Sequence, residues 1–111
     1  MEDASASVRG PLETCPGCRI TFAVPAAIAA ARAGELALAE KHEEQCAYLA
    51  NVVMRLPAWY AAHDEVRGHI DAARGAGEAA RGRFAAAALR FRAAGHPIDA
   101  ARCDGWASQS R

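Results

Sequence analysis

Apolar residues recur at alternating three- and four-residue steps along most of the chain, which is the period of an amphipathic α-helix. The first long stretch predicts a helix from Glu35 to about Arg55, whose inner stripe contains Ala39, His42, Cys46, Leu49, Val53 and Leu56. A shorter helix is expected from Pro25 to Ala33, because proline is tolerated in a first helical turn. Gly34 then separates the two helices.

A longer periodic stretch follows Pro57, where the residue before the proline predicts a corner in the chain. The same alternation continues to about Ala94, after which Gly95 and Pro97 mark a helix end. We therefore expect one long helix over residues 57–94, in a helical hairpin or a coiled coil. The alternative is that Gly75-Ala76-Gly77 breaks the rod, so that residues 78–94 fold back into a compact three-helix bundle.

Inside this stretch lies a heptad repeat of the form Asp/Glu-x-x-Arg-Gly, which begins at Asp64, Asp71 and Glu78. An acid three residues before an arginine can pair with it on a helix surface, for roughly 0.2 to 0.5 kcal/mol per pair. The repeat keeps its register across the glycines, which favours the unbroken helix. Its glycines mark either a close helix contact or expansion of a repeat in a GC-rich gene.

The rest of the chain carries weaker patterns. Residues 1–13 have no apolar period and are expected to be disordered, while residues 96–111 form a tail with a short helix from Pro97 to Cys103. β-branched residues are scarce, so the fold class is mainly α. The predicted organisation is a lead at 1–13, a metal-binding knuckle packed on a helix at 14–56, the long helix at 57–95 and the tail.

Two pairs of metal-ligating residues stand out. Cys15-Pro16-Gly17-Cys18 can form a tight turn on which two thiolates converge, and His42 and Cys46 lie one turn apart on the same helix face. These four residue types at these spacings predict one tetrahedral zinc site. Phe22, four residues after Cys18, is placed to cover the metal.

This pattern resembles a zinc finger of the two-Cys, His-Cys type over residues 15–46. In such a finger a knuckle and a helix share one ion, so the resemblance implies a structure held together by metal. Here twenty-three residues separate the two ligand pairs, whereas a compact finger has about twelve. Because the insert at 23–40 adds a helix, no base-reading positions are carried over.

The cysteines have other interpretations. Cys15 and Cys18 could form a reduced structural pair or a redox dithiol, although a redox motif is expected beside a βαβ unit that this chain lacks. Cys103 is expected to be a small apolar residue, or to replace His42 or Cys46 as a ligand. With no signal peptide or apolar membrane span evident, we expect a cytoplasmic, reducing compartment, where paired cysteines favour metal binding.

Charge leaves the partner open, because 13 basic and 13 acidic residues balance. A basic patch near the end of the long helix is nevertheless a candidate nucleic-acid contact. It consists of arginines outside the heptad repeat: Arg83, Arg90, Arg92 and Arg102. The overall balance is less positive than nucleic-acid binders usually are.

Self-association is expected from the predicted lengths. A helix over 57–94 would span roughly 57 Å, against about 32 Å for the helix over 35–55. The overhang would leave Phe84, Leu89 and Phe91 exposed, and a second copy or a protein partner would bury them.

No phosphate-binding loop, nucleophile signature or carboxylate pair is present, so we expect neither an enzyme nor a small-molecule substrate. The leading hypothesis is a zinc-stabilised helical module for binding or assembly, and a regulatory role is one form that this function could take. The alternative is a nucleic-acid-binding zinc-finger protein that uses the arginine patch. A thiol-disulfide redox protein is the third.

Overall fold

The computed structural model describes residues 15–109, and within them every regular element is helical. Five α-helices follow one another: α1 (Pro16–Arg32), α2 (Leu36–Tyr48), α3 (Pro57–Ala73), α4 (Gly77–Ala93) and α5 (Pro97–Gln109). A π-helical segment, Leu49–Met54, continues α2. The mainly α fold class is thus confirmed, while the lead predicted for residues 1–13 lies outside the described part.

Consecutive helices pack against each other, and α3 occupies the middle of the molecule because it contacts α1, α2 and α4. The extreme dimensions of the described chain are 41 × 31 × 21 Å. None of the described helices combines the length and the apolarity that crossing a membrane requires.

Helix α1 begins earlier than expected. Cys15 has extended backbone angles and serves as the N-cap, and Pro16 occupies the first helical position, where no amide hydrogen bond is lost. Pro25 therefore lies inside α1 and does not start a helix. It is on the exposed side of α1, opposite a buried apolar face that includes Ile20 and Ala23. The predicted Cys-Pro-Gly-Cys knuckle and the helix start at Pro25 are both wrong.

Three helix connections share one geometry, in which a glycine adopts a left-handed conformation just after the helix. The glycine φ angles are +79° at Gly34, +81° at Gly75 and +85° at Gly95. In each connection the amide after the glycine bonds back five residues: Glu35 to Ala30 at 2.9 Å, Ala76 to Asp71 at 2.9 Å and His96 to Phe91 at 2.8 Å. These are Schellman turns, and each one reverses the chain.

The unbroken helix over residues 57–94 is therefore wrong. Helix α3 ends at Ala73, α4 begins at Gly77, and the two pack against each other. The alternative of a break at Gly75-Ala76-Gly77 is confirmed. Because α4 folds back, Phe84 and Phe91 are only 1% and 5% exposed. The predicted self-association surface reduces to Leu89, which is 69% exposed.

Helices α3 and α4 approach closely at one glycine. A Cβ atom on Gly68 would lie 2.7 Å from the buried Phe84 ring, whereas one on Gly82 would meet nothing within 4 Å. Among the glycines of the heptad repeat, Gly68 thus leaves the space that the Phe84 ring fills, while Gly75 forms the turn between α3 and α4.

A buried ion pair joins α3 to α5. The Glu65 carboxylate accepts hydrogen bonds from Nε and Nη2 of Arg102, both at 2.8 Å, and from Nε1 of Trp106 at 3.2 Å. Glu65 is 2% exposed, and its hydrogen bonds raise the pKa of the Arg102 guanidinium. Side chains of α5 thereby reach across to α3, although the backbone of α5 packs mainly on α4.

We expect Arg102→Met to lower the free energy of unfolding by about 2 to 3 kcal/mol, because it leaves the Glu65 carboxylate buried without its cation. The figure is at the low end for a buried pair, since the Arg102 side chain is 42% exposed. Arg92→Met is the matched control: Arg92 pairs with Asp104, both side chains are about half exposed, and the loss should stay below about 1 kcal/mol. Urea denaturation measures both, and equal losses would contradict the role given to Glu65.

Gly68→Ala and Gly82→Ala should change stability in opposite directions. Alanine favours a helix over glycine by about 1 kcal/mol, and at Gly82 nothing opposes this gain. At Gly68 the added methyl group collides with the Phe84 ring, and overpacking of this kind costs about 1 to 3 kcal/mol. Thermal unfolding should show a higher Tm for Gly82→Ala and a lower one for Gly68→Ala. A higher Tm for both would mean that the Phe84 ring moves aside freely.

Candidate functional site at the amino end of helix α1

Cys15 and Cys18 lie together at the start of the 17-residue helix α1. The Cys18 amide donates a hydrogen bond to Cys15 Sγ across 3.4 Å, so the Cys15 side chain caps the helix. Cys15 is half-buried and Cys18 is exposed, and both are free thiols. The pair therefore occupies the positive end of the helix dipole with access to solvent.

The two thiols differ in acidity because one donates a hydrogen bond to the other. The Cys18 side chain and then its amide lower the pKa of Cys15 from its ordinary value of 9.0. The same side-chain hydrogen bond, followed by partial desolvation, raises the pKa of Cys18. Since the thiolate is the nucleophilic form of cysteine, Cys15 is the more reactive of the two near neutral pH.

The other two predicted ligands lie elsewhere. The His42 ring makes an edge contact with Phe22, with 5.9 Å between ring centroids. Cys46 is fully buried in an alanine-rich cluster with Ala23, Ala27 and Val66. Burial raises the pKa of the Cys46 thiol to about 12, so this side chain is a protonated core residue.

Cys103 has a similar environment in the cluster between α3, α4 and α5, and its pKa is also raised to about 12 by burial. Its expected role as a small apolar residue matches this position.

Among residues 15–109, no three His, Cys, Asp or Glu side chains are arranged so that they could hold a metal ion. Cys15 and Cys18 are together, but Cys46 points into the core, where its thiol would have to lose a proton against strong desolvation. The four residues do not fit a zinc ion in this arrangement. Zinc binding by Cys15, Cys18, His42 and Cys46 stays a prediction, and it would require the start of α1 to rearrange.

Each arginine of the predicted nucleic-acid patch has an acidic partner. The closest nitrogen-oxygen distances are 3.4 Å for Arg83 with Asp71, 2.9 Å for Arg90 with Asp64, 2.6 Å for Arg92 with Asp104 and 2.8 Å for Arg102 with Glu65. These acids lie on other helices, twelve or more residues away in sequence, where local spacing does not reveal them. Arg102 also has a local partner, Asp99, three residues before it at 2.5 Å. Their charges offset the patch, and nucleic-acid contact there stays a prediction that the pairing does not favour.

Sequence reasoning missed an exposed apolar patch at the end of α2, which we define as Tyr48, Val52, Val53 and Leu56. These side chains are between 38% and 59% exposed. Val53 and Leu56 were expected on the buried stripe, but a π-helical segment has a wider turn and shifts the phase of every residue after it. The inner side of the segment, Leu49 and Ala50, packs on Ile20 of α1, two residues after Cys18.

Comparison of the chain with protein-family models, with curated proteins and with solved structures found no match. The function is therefore argued from the geometry alone.

We expect Cys15 to be alkylated first when the folded protein meets iodoacetamide, while Cys46 and Cys103 stay protected by burial. Because the Cys18 side chain lowers the pKa of Cys15, the midpoint of the rate-against-pH curve should lie below that of an ordinary thiol. Cys18→Ala removes this hydrogen bond, so the midpoint should move to higher pH. Peptide mass spectrometry locates the modified residue, and an unchanged midpoint in Cys18→Ala would contradict the assignment.

Proposed function

We propose that this protein carries out thiol-disulfide exchange, with Cys15 as the attacking thiolate and Cys18 as the resolving thiol. One observation carries the proposal: Cys15 Sγ caps the first turn of α1 and accepts a hydrogen bond from the Cys18 amide, at 3.4 Å. Cys15 is the N-cap and Cys18 the third residue after it, and the hydrogen bond from the Cys18 amide to Cys15 Sγ keeps the two residues close enough for their sulfur atoms to meet. This proposal differs from the zinc-held module that the sequence pattern favours.

The exchange proceeds in two steps. The Cys15 thiolate attacks one sulfur of a substrate disulfide; the substrate S–S bond breaks, a mixed disulfide forms and one substrate thiolate leaves. Cys18 then gives up its proton, which the departing substrate thiolate takes, and attacks Cys15 Sγ. The mixed disulfide breaks, the Cys15–Cys18 disulfide forms, and the second substrate sulfur leaves as a thiolate that takes a proton from water. Two electrons pass from the protein to the substrate.

The apolar patch supports a protein substrate. The segment that carries it packs on the first turns of α1 through Ile20, so an extended polypeptide lying on the patch would have its own cysteine close to Cys15. Phe22, one turn after Cys18 and 49% exposed, adds apolar surface to the same end of the molecule. Exposed apolar side chains on a segment that packs against α1 fit an unfolded chain with a disulfide better than a small polar disulfide.

The test is trapping of the mixed disulfide. The purified Cys18→Ser variant is mixed with a substrate protein that has been reduced and then reoxidised so that its disulfides are scrambled. Covalent adducts are measured by mass spectrometry. We expect an adduct through Cys15, because the variant can attack but cannot resolve. Cys15→Ser should form none, and Cys103→Ser, with both exchange cysteines intact, should reduce the substrate as the unmodified protein does.

Equilibration with glutathione buffers gives an independent readout. The fraction of Cys15–Cys18 disulfide should rise and fall reversibly with the ratio of oxidised to reduced glutathione. If no buffer produces this disulfide and no adduct forms, the exchange proposal is wrong. If the protein instead retains about one zinc per chain that Cys46→Ala loses, the four-residue zinc site is the correct interpretation.

A further inference from the structure

An open cleft lies at the far end of the molecule from Cys15, where the end of α1, the α3–α4 turn and the end of α5 converge. Its volume is about 400 Å³, within the range of small-molecule sites. Arg32, His69, Gly77, Phe84 and Trp106 line it. The cleft thus combines a cation, an imidazole and two aromatic rings with small residues that leave room.

His69 is the unusual member of this set. It is 5% exposed, and its Nε2 atom has no hydrogen-bond partner among the described residues. The rings of Phe84 and Trp106 make edge contacts with it, with centroids 4.9 and 4.6 Å away. Burial lowers the pKa of His69 to about 4, so the imidazole is neutral near pH 7. A buried polar atom normally has a partner. The surrounding side chains cover Nε2, so a ligand in the cleft would supply the partner once a covering side chain moves aside.

Arg32 provides the charge. Its guanidinium carbon lies 4.5 Å from the centre of the Trp106 ring, so the group is held against the indole. The side chain is exposed, and among residues 15–109 no carboxylate pairs with it, unlike the four arginines described above. A guanidinium positioned by an aromatic ring keeps N–H groups for an anion.

The start of α4 adds to the same preference. Its N-cap, Ala76, offers no side-chain acceptor to the first amides of the helix, and Gly77 lies in the cleft lining. The nearby Glu65 carboxylate is already satisfied by Arg102 and Trp106. Arg32 and the start of α4 therefore favour an anion, and they act against the carboxyl ends of α1 and α3, which also line the cleft.

We propose that this cleft binds a small organic carboxylate with a flat apolar body. The carboxylate accepts hydrogen bonds from the Arg32 guanidinium and from Nε2–H of the neutral His69, and the apolar body packs on Phe84 and Trp106. A single cation beside an apolar wall suits a monoanion, whereas a phosphate dianion would need more donors. The site is independent of the thiol chemistry, since Cys15 and Arg32 lie at opposite ends of α1.

The probe is phenylacetate, and phenylacetamide is its neutral match of the same shape. The full chain is titrated while the ring signals of His69 and the indole N–H signal of Trp106 are followed by NMR. We expect saturable shifts with phenylacetate, and at least about tenfold weaker binding of phenylacetamide because a charge-assisted hydrogen bond is lost.

Four substitutions at three positions complete the test. Arg32→Gln should weaken phenylacetate binding at least about tenfold, while Arg19→Gln, an exposed arginine near the other end of α1, should leave it unchanged. His69→Gln, which keeps an N–H donor, should retain more affinity than His69→Leu. Absence of saturable shifts, equal affinity for the amide, or full affinity in Arg32→Gln would each overturn the proposal.

Discussion

The buried Glu65 carboxylate is the constraint on which the arrangement of the last three helices depends. A carboxylate that is 2% exposed is costly to remove from water unless its oxygens are fully hydrogen-bonded. Its donors, Arg102 and Trp106, are four residues apart and therefore share one face of α5. Satisfying Glu65 fixes the rotation of α5, and this rotation places the Trp106 ring against His69 and under Arg32. One ion pair thereby sets both the packing of α5 and the wall of the cleft.

The helices were predicted well because every helical turn contributes apolar residues to the same periodic pattern. The positions where the chain reverses were predicted less well. Gly34 and Gly95 were recognised as helix ends, whereas a break at Gly75 was only the alternative, since the heptad repeat continues through it in register. Gly75 occupies the same position in its turn as the other two, with a left-handed φ and the same backward hydrogen bond. Local sequence does not mark this turn, because Ala-Ala-Arg-Gly stands at residues 72–75 in the turn and again at 79–82 inside α4.

The candidate site was found by its residue types and misjudged in its local structure. Proline and glycine between two cysteines suit a tight turn, but they equally suit a first helical turn, where proline loses no hydrogen bond. In the structure the second possibility holds: α1 starts at Pro16, and Ile20 and Ala23 lie on its buried face. The phase shift in the π-helical segment and the pairing of arginines across helices also depend on tertiary packing. Neighbouring sequence does not encode such contacts.

Helix α1 connects the two proposed sites, and its two ends have opposite electrostatic effects. At its amino end the dipole favours an anion, which suits the Cys15 thiolate; at its carboxyl end the dipole favours a cation, which suits Arg32. The helix is about 25 Å long, so a ligand at one end does not touch a substrate at the other. Its inner face consists largely of alanines, Ala23, Ala27, Ala30 and Ala31. Small side chains let α1 lie close to α2 and α3, where its alanines share a buried cluster with Cys46, Val66 and Ile70. The Schellman turn at Gly34 and the contact of Ile20 with Leu49 and Ala50 hold its two ends.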